Sequence, residues 1–417
     1  MHIIVIEPSP SSQQGGQHLS TFEVARYLAH QGHRLSLVYF PTATEAATAD
    51  LVPQYQEFCT QVIALEEGRF QRAKPWPSAL AILRGLLTLQ RRLAKPPGAE
   101  LVYVSSHTHG FFAVLVGLWR RSTKVLHIRT AIGSGLVFHR QDRWAMAQID
   151  RFLAVSEDVK QAWVQEFNLD PQAITPVLNG VDTTKFTPAD SPGTIAALRS
   201  RLPLPSPSPN DRPPLIITYL GRLHPQKGLG VLLRAFAQLR HSRSDGEAAS
   251  RGVALGGQDL YLLIAGHPVG FATPREAQTY GSSLRQQVAD LGLEPWVRFL
   301  GHVDDTVSLY QASDLTVLPS IYPDPCPRSV LESLACGVPI IASRTGGIQE
   351  TLTAELDPLL CEPDSAEALV AQWHRWLDWR TTDPDLGDRC RRYAQERLSS
   401  SATWQRIAAF LQQVAAT

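Results

Sequence analysis

Two carboxylates, Asp324 and Glu332, lie in the stretch "DPCPRSVLESLACG" (324–337), the first among prolines and the second inside an apolar run. Ionised carboxylates accept bidentate hydrogen bonds, and vicinal hydroxyls on a ribose or a hexose are suitable donors. Earlier, "YLGRLHPQKGLGVLLRAF" (219–236) sets Arg222 and Lys227 around a turn that leads from a strand into a helix. Free N–H groups at a helix N-terminus, the positive end of its dipole and two cations together suit a diphosphate. Two solvated surface cations are the plain alternative. A second glycine turn, "EPSPSSQQGGQH" (7–18), carries Gly15 and Gly16, whose backbones admit close approach of a ligand. It is not a G-x-G-x-x-G fingerprint, and no acid ends the next strand, "RLSLVYF" (34–40), which disfavours a nicotinamide or flavin role. "LVYVSSHTHGFF" (101–112) places His107 and His109 just after another strand, where either could reach a ligand or serve as a loop histidine.

The elements that must hold these residues alternate strand and helix in both halves. "HIIVI" (2–6), "RLSLVYF", "LVYVSS" (101–106), "KVLHIRT" (124–130) and "RFLAVS" (151–156) are short apolar strands; so are "LIITYLG" (215–221), "LYLLIAG" (260–266), "VRFLG" (297–301), "LTVLPS" (315–320) and "VPIIAS" (338–343). This rhythm predicts α/β domains with parallel sheets covered on both faces, and ligands at the carboxyl ends of the strands. Between the halves, "PLPSPSPNDRPP" (203–214) holds six prolines in twelve residues and reads as an extended linker near a domain boundary. Residues 241–258 read as a polar surface loop. Trp373, Trp376 and Trp379 recur every third residue, which predicts one packed helix face. The expected domains are 1–195, with a final helix at about 400–417 packing back on it, and 196–399.

Composition narrows the classes. The 417 residues carry 39 Lys plus Arg against 39 Asp plus Glu, so no broad nucleic-acid footprint is expected. Five cysteines without a CxxC pair argue against a zinc site or a disulfide framework. No apolar run reaches membrane length and "MHIIVIEP" is too short for a signal-peptide core, which predicts a soluble, cytoplasmic chain. "DPD" (383–385) imitates a metal-binding DxD but sits in a polar segment and reads as a turn. Neither a metal nor a cofactor is expected.

The ordered set "GRLHPQKG" (221–228), "LIAGH" (263–267), "VRFLGHVDDTVSLYQASDLTVLPS" (297–320), the Asp324–Glu332 pair, "ACGVPIIAS" (335–343) and "TGGIQE" (345–350) resembles the retaining GT-B glycosyltransferases of the glycogen-synthase-like family 4. The first half matches more thinly, through the glycine pair, "AVSEDVK" (154–160) and "NGVDTTKF" (179–186). The resemblance implies a GT-B fold, with two doubly wound Rossmann-like domains facing a crevice. It also implies metal-independent, front-face transfer of a hexose from a nucleotide-diphosphate-sugar to an acceptor hydroxyl, the nucleotide-sugar being co-substrate. Under it, Arg222 and Lys227 match the pair that neutralises the donor diphosphate. Glu332 matches the second glutamate of the family's Ex7E motif, which holds the ribose, and Asp324 matches the first, which faces the sugar. Gly15 and Gly16 match the glycines that approach the diphosphate. The family's histidine near the anomeric carbon falls on His107 in preference to His109, because His107 comes first after its strand. Asp324 replaces a usual glutamate and Cys326–Pro327 a usual Phe-Gly, departures that bear on which sugar is transferred. A GT-B nucleotide-sugar epimerase and a catalytically silent donor-binding protein are the alternatives.

One stretch bears on the acceptor. "RFQRAKPWPSALAILRGLLTLQRRLAK" (69–95) has seven cations and no acid, with Leu80, Leu83 and Leu87 and also Ile82, Leu86 and Leu89 on a helix flanked by Trp76 and Arg91–Arg92. A basic amphipathic helix can lie on an anionic bilayer, which would suit a lipid-linked acceptor and peripheral contact with the inner membrane face. A normally packed helix and a soluble sugar acceptor form the other reading.

Overall fold

The apolar strands of the first half align in a seven-stranded parallel sheet, and those of the second in a six-stranded one. The structure is a computed structural model that describes the chain apart from residues 9, 12–15, 42–50, 66–74, 94–99, 134–137, 206–211, 245–257, 272 and 417. Gly15, most of the polar loop at 241–258, the middle of the proline-rich segment and the first residues of the basic stretch therefore lie outside the described residues.

In the first half the order is β1 His2–Ile6, α1 Gly16–His30, β2 Arg34–Tyr39, α2 Val52–Gln56, β3 Gln61–Ala64, α3 Pro75–Arg92 and β4 Glu100–Val104. Then come α4 Gly110–Arg120, β5 Thr123–Ile128, α5 Arg140–Met146, β6 Arg151–Ala154, α6 Glu157–Phe167 and β7 Ile174–Pro176. The second half runs α7 Pro192–Arg199, β8 Leu215–Leu220, α8 Leu229–Ser244, β9 Leu260–Ala265, α9 Pro274–Asp290, β10 Val297–Gly301 and α10 Thr306–Ala312. It continues with β11 Leu315–Leu318, α11 Arg328–Ala335, β12 Ile340–Ser343, α12 Ile348–Thr351, β13 Leu360–Cys361, α13 Ala366–Trp376, α14 Trp379–Thr382, α15 Leu386–Arg397 and α16 Ser400–Ala416.

Every residue of β1 and of β9 is buried, as parallel strands covered on both faces must be. The sheet orders are β3-β2-β1-β4-β5-β6-β7 and β10-β9-β8-β11-β12-β13. Chain direction across each sheet therefore reverses between β1 and β4, and again between β8 and β11. Loops leaving the carboxyl ends of such strand pairs splay apart and leave a crevice, the usual ligand position in open α/β sheets.

The chain packs as two units, Met1–Asn179 with Ser401–Thr417, and Gly180–Ser400. This division falls before the 195/196 boundary expected from the sequence, because residues 180–195 attach to the second unit. Arg391 donates to the carbonyls of Thr183 and Phe186, and Gln311 to that of Thr187 at 2.8 Å. In the first unit, Ile407, Leu411 and Val414 of α16 join the core formed by Ile3, Val5, Leu28 and Leu37. In the second, the tryptophan spacing spans two helices instead of one face. Trp373 is buried in α13, whereas Trp379 opens α14 and donates to the carbonyl of Asp314 at 2.8 Å.

Candidate functional site

Beyond β8 the chain turns at Gly221 and forms a single 3-10 turn, Pro225–Lys227, whose first N–H group beyond proline (Gln226) is met by the His224 ring at 3.4 Å. Gly228 follows at φ +70°, and a Cβ there would lie 1.8 Å from the carbonyl oxygen of Pro319. Only glycine permits this contact, which brings the loop after β8 against the loop after β11. Ile321 N–H donates to Gln226 O at 2.9 Å and ties the two loops together. Helix α8 begins at once, so its unpaired first-turn N–H groups lie at the switch point.

The side chains converge at the same place. Lys227 and Asp324, both nearly inaccessible, form an ion pair. Ser320 Oγ donates to Asp324 Oδ2 at 3.0 Å, Tyr322 OH donates to Oδ1 at 3.4 Å, and the Lys227 ammonium lies 5.3 Å from the centre of the Tyr322 ring. The glycine turn of "TGGIQE" braces the acid from behind. Gly347 N–H donates to Asp324 O at 2.9 Å, and at Gly346 (φ +53°) a Cβ would meet the Pro323–Asp324 backbone at 2.6–2.7 Å. Arg222 stands beside this pair. Its carbonyl accepts from Tyr219 OH at 2.7 Å, and a Cβ on Gly270 would crowd its guanidinium at 2.7 Å. Burial and the Asp324 charge push the Tyr322 phenol above its ordinary range, with Arg222 pulling the other way. Burial, then Arg222 and Lys227, lower the His224 imidazole and favour its neutral form.

Arg222, Lys227 and Asp324 are thus brought together. Glu332 stands apart from them on α11: it accepts from Tyr310 OH at 3.1 Å and from Arg328 Nε at 3.2 Å. Two acids that look like a pair in the sequence have separate sets of partners.

In the first unit the corresponding strand ends are those of β1 and β4. Gly16 opens α1 and is exposed, and Gln17 on the next position donates to Ser105 O at 3.1 Å. His18 pairs at 2.6 Å with Glu7, which is fully buried. His107 begins a 3-10 turn and sits edge-on to Phe138 and Trp163, with centroids at 5.5 and 5.6 Å. His109 instead stacks on Phe40 at 4.6 Å and hydrogen-bonds Thr108 Oγ1 at 2.9 Å. Behind them Arg129 donates to His127 Nδ1 at 3.1 Å and to Asn179 Oδ1 at 3.3 Å. Because that nitrogen accepts, the His127 proton is on Nε2; burial and then Arg129 hold this imidazole well below its usual range.

Among the described residues no cluster of three or more His, Cys, Asp or Glu could hold a metal ion. Asp383 of the "DPD" segment is tied to Arg389 at 2.6 Å. The cysteines form no disulfide, and burial pushes the Cys336 and Cys361 thiols up to about 12.

Two family models match this chain: glycosyl transferases group 1 over residues 204–397, and glycosyltransferase family 4 over residues 14–185. Together they cover both units. The chain belongs to this glycosyltransferase family.

Among curated relatives, this chain is 30% identical over 242 residues to the D-inositol 3-phosphate glycosyltransferase of Corynebacterium kroppenstedtii, covering 57% of this chain and 46% of that one. The chain spans about half the length of the first curated relatives it matches. A protein of the same name from Corynebacterium glutamicum is 24% identical over 437 residues, covering 99% of this chain and 94% of the relative. Two solved structures share the fold. HepE of Anabaena, in complex with UDP and glucose, superposes with a TM-score of 0.77 at 20% identity, covering 99% and 100% of the two chains. A glycosyltransferase from Rickettsia africae gives 0.78 at 19%, covering 99% and 98%. The α/β reading, two doubly wound parallel-sheet domains of GT-B type, agrees with both.

Several polar residues of this chain are not singled out by its sequence. Ser320 and Tyr322 around Asp324, Tyr219 under Arg222, and Glu7 all belong to strand ends or loops, while Glu7's partner His18 lies in the first turn of α1. The usable signal is the strand pattern itself: Ser320, Tyr322, Tyr219 and Glu7 follow or end apolar strands at the switch points.

Proposed function

We propose that the protein is a retaining glycosyltransferase that moves a hexose from a nucleotide-diphosphate-sugar to an acceptor hydroxyl. The observation that carries this reading is the meeting of Arg222, Lys227 and Asp324 at the β8–β11 switch point, beside the first turn of α8. In this reading Arg222, Lys227 and the α8 N-terminus bind the diphosphate. Asp324 orients the sugar and Glu332 the ribose. Gly15 and Gly16 approach the diphosphate, and His107 serves at the reaction centre on the acceptor side.

As the anomeric carbon–phosphate bond breaks, negative charge grows on the leaving phosphate, where fixed cations stabilise it most effectively. The acceptor oxygen bonds to the anomeric carbon from the same face, and its proton passes to a departing phosphate oxygen. The sugar passes through an oxocarbenium-like centre. Leaving-group charge is met by the two cations and the helix dipole, so turnover should survive EDTA. Loss on chelation with rescue by Mn²⁺ or Mg²⁺ would contradict that part of the proposal.

UDP-glucose is the first donor to try, since HepE is described with UDP and with UDP-glucose. A phosphorylated inositol, for which the curated relatives are named, and a lipid-linked sugar are the first acceptors. A second reading, donor binding without transfer, draws on Pro327. This residue stands at the N-cap of α11, where it has no N–H to offer a sugar hydroxyl. A labelled sugar appearing on an acceptor decides for transfer; binding with neither transfer nor donor hydrolysis decides for the second reading.

A further inference from the structure

Helix α3 buries one face and leaves an apolar ridge on the other. Ser78, Ile82, Gly85 and Leu89 face inward. Trp76, Leu80, Leu83 and Leu87 are 85, 48, 52 and 40% exposed. At 3.6 residues per turn these two sets lie on roughly opposite sides of the helix, so the outer ridge is not the fringe of the core. Scattered exposed leucines need no explanation, but four large apolar side chains in line along one helix do. Arg84 and Arg91 flank the ridge, and Arg92 ends the helix; all three are exposed. The helix contains no acid, and among the described residues no acid pairs with these three arginines.

The apolar surface continues onto α4. A groove of about 210 Å³ runs between the two helices, lined by Leu86, Leu89, Leu93, Val116, Trp119 and Arg120. Trp119 and its neighbour Leu118 are themselves exposed, and Arg121, also exposed, closes the end of α4.

We propose that this α3–α4 face docks on an anionic bilayer. Trp76, Leu80, Leu83 and Leu87 enter the boundary between headgroups and acyl chains, while Arg84, Arg91, Arg92 and Arg121 meet lipid phosphates. Charge decides the occupant: a ridge of leucine and tryptophan flanked, among the described residues, by Arg84, Arg91, Arg92 and Arg121 complements a surface that is apolar inside and negative at its edge. The inference rests on this surface alone and not on the transfer reaction. Its failure would leave the donor-site reading standing.

The test is flotation of the full-length protein with vesicles of phosphatidylcholine, with and without phosphatidylglycerol. The wild type should float with the anionic vesicles at low salt, stay in solution with the neutral ones, and be released as salt is raised. Arg84→Gln with Arg91→Gln should weaken binding by about thirtyfold, the equivalent of roughly 1 kcal/mol per cation. Leu83→Glu with Leu87→Glu should abolish it. The substituted side chains are exposed, so circular dichroism and the melting temperature should stay at wild-type values and exclude misfolding as the cause. A wild type that remains in solution with anionic vesicles at low salt overturns the proposal. So does a Leu83→Glu/Leu87→Glu variant that floats like the wild type. A dimer in sedimentation velocity that this double variant dissolves, without vesicle binding, would also overturn it and assign the face to a second copy of the chain.

Discussion

Asp324 neutralises the cation that the proposed reaction needs most, and this sets what single substitutions should do. With Lys227 paired to Asp324, Arg222 carries the net positive charge of the cluster. Asp324→Asn frees Lys227 and should tighten binding of the bare nucleoside diphosphate while lowering turnover, because the sugar loses its carboxylate. Calorimetric titration and a transfer assay read the two effects separately; equal losses in both would contradict the assignment. Lys227→Ala leaves a buried carboxylate without its cation and should cost about 3–5 kcal/mol of stability. Arg222→Ala removes a partly exposed charge and should leave the melting temperature nearly unchanged, which makes it the cleaner probe of turnover. The grouping of Arg222, Lys227 and Asp324 was legible in the sequence only through the ordered set of motifs from "GRLHPQKG" to "TGGIQE", because two cations at a glycine turn suit solvated surface charges equally well. Tyr322 and Ser320 were not, since hydroxyls are common in loops and only their contact with Asp324 distinguishes them. The separation of Glu332 from that contact was equally hidden, because spacing along a chain does not say which way a side chain points once a helix intervenes.

The glycine turns are what let the loops carrying these residues touch. Gly228→Ala would place a Cβ on the Pro319 carbonyl at a left-handed backbone position, and should cost roughly 3 kcal/mol or more while lowering donor affinity. A variant with wild-type melting temperature would show that the two loops do not pack as described. In the first unit, Glu100 at the head of β4 joins β1 to the end of α4, accepting from His2 at 2.9 Å, Arg120 at 2.5 and 2.7 Å, and Ser122 at 2.8 Å. Burial acts to raise this carboxyl, but those hydrogen bonds and the Arg120 charge outweigh it and hold it at about 2, against an ordinary 4.5. The folded value is depressed, so the unfolded chain takes up the proton first as pH falls. The stabilisation should be complete above about pH 4.5 and lost on approach to about 2. Denaturant melts across that window should show the loss in the wild type and a flatter profile in Glu100→Gln; identical slopes would refute it. Most strands were legible as apolar runs between turns. The sheet-edge strands β3, β7 and β13 were not, because four, three and two residues carry too little pattern to stand out. The tryptophan spacing misled for a related reason: period three continues across a helix break that only capping geometry marks.

Taken as one molecule, the chain repeats a single design, a parallel sheet that reverses direction once and gathers polar residues at the reversal. The repeat was legible because both halves alternate strands and helices. The ownership of residues 180–195 was not, because it depends on hydrogen bonds such as those from Arg391 to the carbonyls of Thr183 and Phe186, which join residues distant in sequence. What the design is for turns on the second unit's reversal, and titration calorimetry with UDP-glucose on the wild type and on Arg222→Ala tests it most directly. The account predicts a saturable heat for the wild type, and at least tenfold weaker binding for Arg222→Ala, about 1.4 kcal/mol, with an unchanged melting temperature. A wild type that binds neither UDP-, GDP- nor ADP-sugars, or an Arg222→Ala variant that binds the donor as tightly as the wild type, would contradict it.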